Sequence, residues 1–166
     1  IKLLVVSELF EMFEADRKGK DAKGVEAATR LLKNYNTFTN DSHLSNFLEY
    51  FLLNVKDSKE DELADTMIRL LDYSAFLKVD FNDEDCHIKK PLTSYLNDLS
   101  GVFLHDLDQV ISEINNLLDN PVSYNIGCCY QELISFAKKY EIDLLTHVNL
   151  KISYNATRKK MHGKKY

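Results

Sequence analysis

The chain has 166 residues, of which 45% are hydrophobic and 28% charged, a balance typical of a globular domain that buries a core without disulfides. Its formal net charge of −5 argues against nucleic-acid binding through the whole surface, and no apolar run reaches the length of about 18 residues that a membrane helix needs. The three cysteines, Cys86, Cys128 and Cys129, lack zinc-binding spacing and fit a reducing compartment. We therefore expect a cytoplasmic protein with no membrane partner and no specific nucleic-acid partner.

The first predicted helix covers residues 1–18 and ends at a basic, glycine-containing run at 17–20. Apolar residues cover most of its circumference, so we expect it to be largely buried. Glu8 and Glu11, three residues apart, point to one side of this helix. Carboxylates on a mostly apolar helix need partners, because burying an unpaired charge is costly. They either bind a metal ion or lie at the rim of a core helix.

Residues 21–58 predict two short helices, with turn-forming residues at 34–36 and 40–42. Either Asp57 or Ser58 is expected to cap the next helix, 59–79. That helix has an apolar side and a charged stripe, which on its own is typical of a solvated face. The stripe consists of Glu62, Asp65, Arg69 and Asp72.

Glu62 and Asp65 have the same spacing as Glu8 and Glu11. If the two helices face each other, the two pairs form a pocket of four carboxylates. Oxygen ligands of this kind suit Mg²⁺, with Mn²⁺ as a substitute. The spacing therefore predicts a metal site, and Arg69 could either orient Asp65 or bind phosphate.

A polar segment at 82–94 is predicted to be a linker, and helices are expected at 95–119, 123–140 and 143–157. A weak internal repeat aligns residues 70–81 with 133–144, and the same offset places Glu62 on Asn125 and Asp65 on Cys128. The domain at 1–166 is therefore interpreted as all-α, with a metal-binding half at 1–81. Residues 95–166 would then be a degenerate repeat with a basic tail.

Three blocks resemble a known family. Residues 7–20, with Glu8 and Glu11, resemble the first motif of MazG-like nucleotide pyrophosphohydrolases, the all-α NTP pyrophosphatase superfamily. Residues 61–72 resemble the ExxD helix of that family, and residues 154–158 with 162–166 resemble the C-terminal tail of one branch. The blocks cover about a third of the chain. The long segments between the acidic pairs, and between the ExxD helix and the tail, depart from the family pattern.

The resemblance implies a helical bundle that hydrolyses a nucleoside triphosphate or deoxynucleoside triphosphate to the monophosphate and pyrophosphate. It implies that Glu8, Glu11, Glu62 and Asp65 bind Mg²⁺, and that the protein is a homodimer or a pseudo-dimer within one chain. In this reading Glu11 or Glu14 is the catalytic base. The candidate phosphate or nucleotide contacts are Lys18, Lys20, Arg69, Asn155, Arg158 and Lys164, and Tyr73 or Phe76 could flank the base of the nucleotide.

Two other functions compete with this hypothesis. The chain could be a non-catalytic helical interaction module whose acids lie on solvated faces. A helical nucleic-acid-binding protein is the third possibility, and it rests only on the basic tail, where residues 151–166 hold six Lys or Arg and no Asp or Glu.

Overall fold

The computed structural model describes residues 2–38, 41–79 and 99–157, and within these ranges it contains seven α-helices and no strand. The prediction of an all-α protein is confirmed. The helices are α1 (Lys2–Arg17), α2 (Val25–Phe38), α3 (Asp41–Asn54), α4 (Lys59–Leu77), α5 (Phe103–Leu117), α6 (Ser123–Lys139) and α7 (Leu144–Thr157). None of these helices is long and apolar enough to cross a membrane. The predicted linker at 82–94 lies outside the described residues.

The ends of α1 and α4 follow the local sequence signals. Helix α1 stops at Arg17, and Gly19 then adopts a φ of 65°, a backbone conformation in which glycine avoids the steric cost of a side chain. Ser58 is the N-cap of α4, where its hydroxyl oxygen accepts a hydrogen bond from the backbone N–H of Asp61 at 3.2 Å. These two features fix where α1 ends and where α4 begins.

Two predicted boundaries are wrong. Residues 34–36, expected in a turn, lie inside α2, because Leu31 and Leu32 pack against a buried cluster and the helix continues past them. Helix α5 begins at Phe103, and residues 99–102, which were expected to be helical, are not. There the Asp106 carboxylate accepts hydrogen bonds from the backbone N–H groups of the preceding turn, which holds that turn outside the helix.

Helices α1, α4, α5 and α6 surround the main hydrophobic core, with α1 packed on α4 and α5 packed on α6. The largest fully buried side chains of this core include Leu9, Met12, Leu63, Leu70, Leu107, Ile114, Leu133 and Phe136. The α5–α6 pair, which lacks the two predicted acidic pairs, thus packs beside the α1–α4 pair, which carries them. The duplication suggested by the weak repeat stays a prediction.

Helix α1 is less buried than its composition predicts. Leu3 is 80% exposed and Phe10 is 55% exposed, whereas Leu9 and Met12 are fully buried. Only the side that faces α4 and α5 is covered, so apolar residues around the whole circumference did not indicate burial on every side.

A second, smaller cluster joins α2, α3 and α7. Phe51 of α3 stacks on Tyr154 of α7 with ring centroids 4.6 Å apart, and Phe47 and Leu150 are buried beside them. Helix α7 also packs along α4 and contributes Val148 to the main core. This position brings one face of α7 against the acidic residues of α4.

Candidate metal centre

Packing of α1 on α4 brings two predicted acidic pairs together. Val5, Leu9 and Met12 of α1 are fully buried, as are Leu63 and Leu70 of α4. Their helical spacing fixes the rotation of each helix about its axis. The acids sit at the edge of this interface.

Glu8, Glu11 and Glu62 converge at that edge. Each offers a carboxylate oxygen, and these three oxygens all lie within 4.8 Å of one another. Glu8 and Glu62 are buried, whereas Glu11 is exposed at the mouth of the group. The predicted convergence of carboxylates from the two helices is therefore observed for three of the four acids.

The fourth predicted ligand, Asp65, has a different partner. Its Oδ2 lies 2.6 Å from the Nζ of Lys151 on α7, and the same ammonium group lies 2.6 Å from Oδ2 of Asp61. The Lys151 side chain is only 6% exposed. Burial lowers the pKa of Lys151, but Asp61 and Asp65 outweigh that effect and the net pKa is raised, so the ammonium stays charged.

A second acidic group shares Glu62 with the first. Oxygens of Asp57, Asp61 and Glu62 also lie within 4.8 Å of one another. Oδ2 of Asp61 accepts a hydrogen bond from the backbone N–H of Asp57 at 3.0 Å, whereas its buried Oδ1 has no hydrogen-bond partner. An unsatisfied buried carboxylate oxygen needs a ligand, a water molecule or a cation.

Burial disfavours the ionised forms of Glu8 and Glu62. Burial raises the pKa of Glu62 to about 8, Lys151 opposes this shift, and the neighbouring carboxylates of Asp61, Asp65 and Glu11 add to it. Burial likewise raises the pKa of Glu8, although Arg69 opposes it with its Nε 3.1 Å from Glu8 Oε1. A bound cation would favour the ionised form of both groups.

The acidic group opens into a cleft of about 380 Å³, within the size range of small-molecule sites. Glu11 and Glu62 line this cleft together with Lys18 and Lys20, which supply positive charge. Phe10 adds an aromatic surface. The cleft therefore combines carboxylates, ammonium groups and one apolar ring.

Glu14 also lines this cleft, but it is engaged by cations. Its carboxylate accepts hydrogen bonds from Arg17 at 2.8 and 3.1 Å, and the Nζ of Lys18 lies 3.5 Å away. The hydrogen bond from Arg17 lowers the pKa of Glu14, with Lys18 contributing less. A carboxylate held in this way is a weaker base than a free one.

The other predicted contacts are dispersed. Arg69 touches Glu8 and lies 3.9 Å from Asp72, at the side of the acidic group. Asn155, Tyr73 and Phe76 are not among the residues that line the cleft, and Phe76 is 69% exposed elsewhere on α4. Arg158 and Lys164 lie outside the described residues.

Four residues of the site were not predicted from the sequence: Asp57, Asp61, Lys151 and Phe10. Lys151 had a signal, because it is the only Asp, Glu, Lys or Arg in α7, a helix that is otherwise apolar or uncharged. A lone charge on such a helix indicates a buried partner. Phe10 had no comparable signal, since it is one of many apolar residues in α1.

The donor set fits a hard divalent cation. Mg²⁺ typically takes a few carboxylates and completes its octahedral shell with water and substrate phosphates. Glu8, Glu11 and Glu62 supply such a set beside a cleft with room for a ligand.

Comparisons of the chain with protein-family models, curated proteins and solved structures gave no match.

Proposed function

We propose that the protein is an Mg²⁺-dependent nucleoside triphosphate pyrophosphohydrolase, in which Mn²⁺ can replace Mg²⁺. The observation that carries the proposal is the convergence of Glu8, Glu11 and Glu62 at a cleft that also contains Lys18 and Lys20. Carboxylates that suit a divalent ion, beside ammonium groups that suit phosphate, match the two charges of a metal–triphosphate substrate. The three sequence blocks that resemble the all-α NTP pyrophosphatases support the same reaction.

The chain's own residues have distinct roles in this proposal. Glu8 and Glu62 are buried ligands, and the hydrogen bond from Arg69 orients Glu8. A bound Mg²⁺ would neutralise negative charge on the phosphate oxygens. Lys18 and Lys20 bind the phosphate chain and hold it for attack by water.

We assign the base to Glu11. Its carboxylate is exposed at the mouth of the acidic group, so an attacking water can reach it. Glu14 is bound by Arg17 and Lys18, which makes it the weaker candidate. The proton that leaves the water is taken by Glu11, and the bond between the α- and β-phosphates breaks to release pyrophosphate.

The decisive experiment measures pyrophosphate release from a panel of canonical and modified nucleoside and deoxynucleoside triphosphates in the presence of Mg²⁺. We expect turnover of at least one of them, and a loss of at least about 100-fold in kcat/KM for Glu11→Gln if Glu11 is the base. Glu26→Gln, an exposed substitution at the start of α2 and away from the cleft, is the matched control and should keep full activity. Absence of turnover with every substrate contradicts the proposal.

A second candidate function has one specific observation in its favour. Arg69 already neutralises Glu8, and Lys151 already neutralises Asp65, as in an acidic surface that never binds metal. In that case the chain is a non-catalytic helical interaction module. Thermal unfolding with increasing Mg²⁺ separates the two functions, because an ion that binds only the folded state stabilises it by RT ln(1 + [L]/Kd). The module should show no such increase beyond that seen with Na⁺ at equal ionic strength.

A further inference from the structure

The acidic centre has one side that carries its own cation. Glu62 belongs to two carboxylate groups, one with Glu8 and Glu11 and the other with Asp57 and Asp61. The ammonium group of Lys151 contacts the second side only, through Asp61. The two sides are therefore chemically different although both have three acids.

We propose that Lys151 is a built-in substitute for a second divalent ion on the Asp57–Asp61 side of Glu62. The centre then takes a divalent ion only on the Glu8–Glu11 side. The identity of that first ion rests on the proposed function, whereas the role of Lys151 concerns the other side. Lys151 is a positioning residue in this scheme, because it contacts carboxylates and lies outside the group of residues that line the cleft.

The geometry of Lys151 supports this role. Its Nζ lies 2.6 Å from Oδ2 of Asp61 and 2.6 Å from Oδ2 of Asp65, so one ammonium group bridges two carboxylates as a metal ion does. The side chain is 6% exposed, which leaves no room for the lysine to swing into solvent without opening the α4–α7 interface. By contrast, the Arg69 side chain beside Glu8 is 39% exposed and can move away from an incoming ion.

The carboxylates on the Lys151 side retain an oxygen without a hydrogen-bond partner, which can bind a cation. Oδ1 of Asp61 is buried and has no hydrogen-bond partner, and it belongs to a residue whose other oxygen already binds Lys151. Removing the ammonium group leaves buried Asp61 and half-buried Asp65 without their shared cation, which is unfavourable. A divalent ion bound by Asp57, Asp61 and Glu62 restores that charge balance.

The test counts the Mn²⁺ ions bound by the full chain, by isothermal titration calorimetry and by the electron paramagnetic resonance signal of free Mn²⁺. We expect Lys151→Met to bind one more Mn²⁺ per chain than the wild type. Lys151→Arg keeps the charge and should bind the same number as the wild type. Lys59→Met is the matched control, because Lys59 is also a partly buried lysine that pairs with two carboxylates, Asp16 and Asp21.

Two further measurements apply if the Lys151→Met substitution prevents folding. If Lys151→Met is unfolded without metal, we expect Mn²⁺ to restore its helical circular dichroism, and Lys151→Gln, which retains hydrogen-bond donors without charge, provides a second count. An unchanged count in folded Lys151→Met and Lys151→Gln overturns the proposal, and so does a failure of Mn²⁺ to restore the folding of Lys151→Met. The difference between variant and wild type tests Lys151, whereas a wild-type count of zero contradicts the proposed function alone.

Discussion

At the scale of single residues, Glu62 has the most unfavourable environment in the centre. It is 5% exposed, it belongs to both carboxylate groups, and burial raises its pKa from 4.5 to about 8. Because the pKa in the folded state is raised, protonated Glu62 stabilises the fold below about pH 4.5. That stabilisation is lost as the pH rises toward 8.

We therefore predict that the metal-free protein becomes less stable between pH 5 and pH 8, and that Glu62→Gln removes most of this slope. The expected loss in the wild type exceeds about 1.4 kcal/mol, the free energy equivalent of one pKa unit. Urea unfolding in EDTA at a series of pH values measures it. Saturating Mg²⁺ should abolish or reverse the slope, because the ion favours the ionised carboxylate.

The control for this prediction is Glu14→Gln. The Glu14 carboxylate lies in the same cleft, but Arg17 lowers its pKa instead of raising it, so the variant should keep the wild-type slope. An identical pH slope in wild type and Glu62→Gln would show that Glu62 is not the group responsible.

At the scale of secondary-structure elements, the start of α5 depends on one buried carboxylate. Asp106 is fully buried and accepts hydrogen bonds from the backbone N–H groups of Ser100 at 2.7 Å and Gly101 at 2.9 Å, and from the hydroxyl group of Tyr140. Burial by itself raises the pKa of Asp106, but these hydrogen bonds outweigh it and hold the pKa well below its usual range. The carboxylate joins the turn before α5 to the end of α6.

We predict that Asp106→Ala destabilises the protein by about 3 kcal/mol or more, since each hydrogen bond to a charged group contributes about 1.5–3 kcal/mol. Because the folded pKa is lowered, the stabilisation by Asp106 is present above its usual pKa of 3.8 and is lost as the pH falls below it. Chemical unfolding at pH 7 and pH 3 checks both statements, and the difference between wild type and variant should shrink at pH 3.

Asp108→Ala provides the matched control for Asp106→Ala. Asp108 lies two residues further along α5 and is exposed, so its replacement should change the free energy of unfolding by less than about 0.5 kcal/mol. Equal effects of the two substitutions would contradict the role of Asp106 in holding the turn before α5.

Local capping signals predicted two helix ends, whereas the equally local turn residues at 34–36 lie inside α2. The glycine after α1 and the cap of α4 depend on neighbouring residues; the glycine was predicted, and Ser58 is one of the two caps, Asp57 or Ser58, that the sequence left open. The start of α5 was not predicted, because the turn before it is held by Asp106 and Tyr140, and Tyr140 lies 34 residues further along the chain. A contact between residues so far apart in the sequence produces no periodic pattern from which it could be predicted.

At the scale of the whole molecule, the same distinction applies to the candidate site. The equal spacing of Glu8–Glu11 and Glu62–Asp65 predicted a common pocket, and three of those acids do converge. The pairing of Asp65 with Lys151 was not predicted, because it depends on how α7 packs along α4, 86 residues away in sequence (151 − 65). Helical spacing predicts which side of a helix a residue occupies, but not which helix will cover that side.

The position of α7 leads to a prediction about cooperativity. This helix contributes Val148 to the main core and Leu150 and Tyr154 to the smaller cluster, so neither cluster is complete without it. We expect the two clusters to unfold together, as a single transition. Phe51→Ala, in the smaller cluster, should destabilise the protein by about 3–5 kcal/mol, since Phe51 is fully buried and stacks on Tyr154.

Hydrogen exchange measured along the chain tests this coupling. If the two clusters unfold together, Phe51→Ala lowers the free energy of opening of the slowest-exchanging amides by the same amount in α4 as in α3. This holds although α4 does not carry the substitution. Leu53→Ala is the control on the same helix, because Leu53 is 75% exposed and its loss should leave protection nearly unchanged. Reduced protection confined to α2, α3 and α7 would show two independently unfolding units, in which Asp61 and Asp65 lose Lys151 while α1 and α4 stay folded.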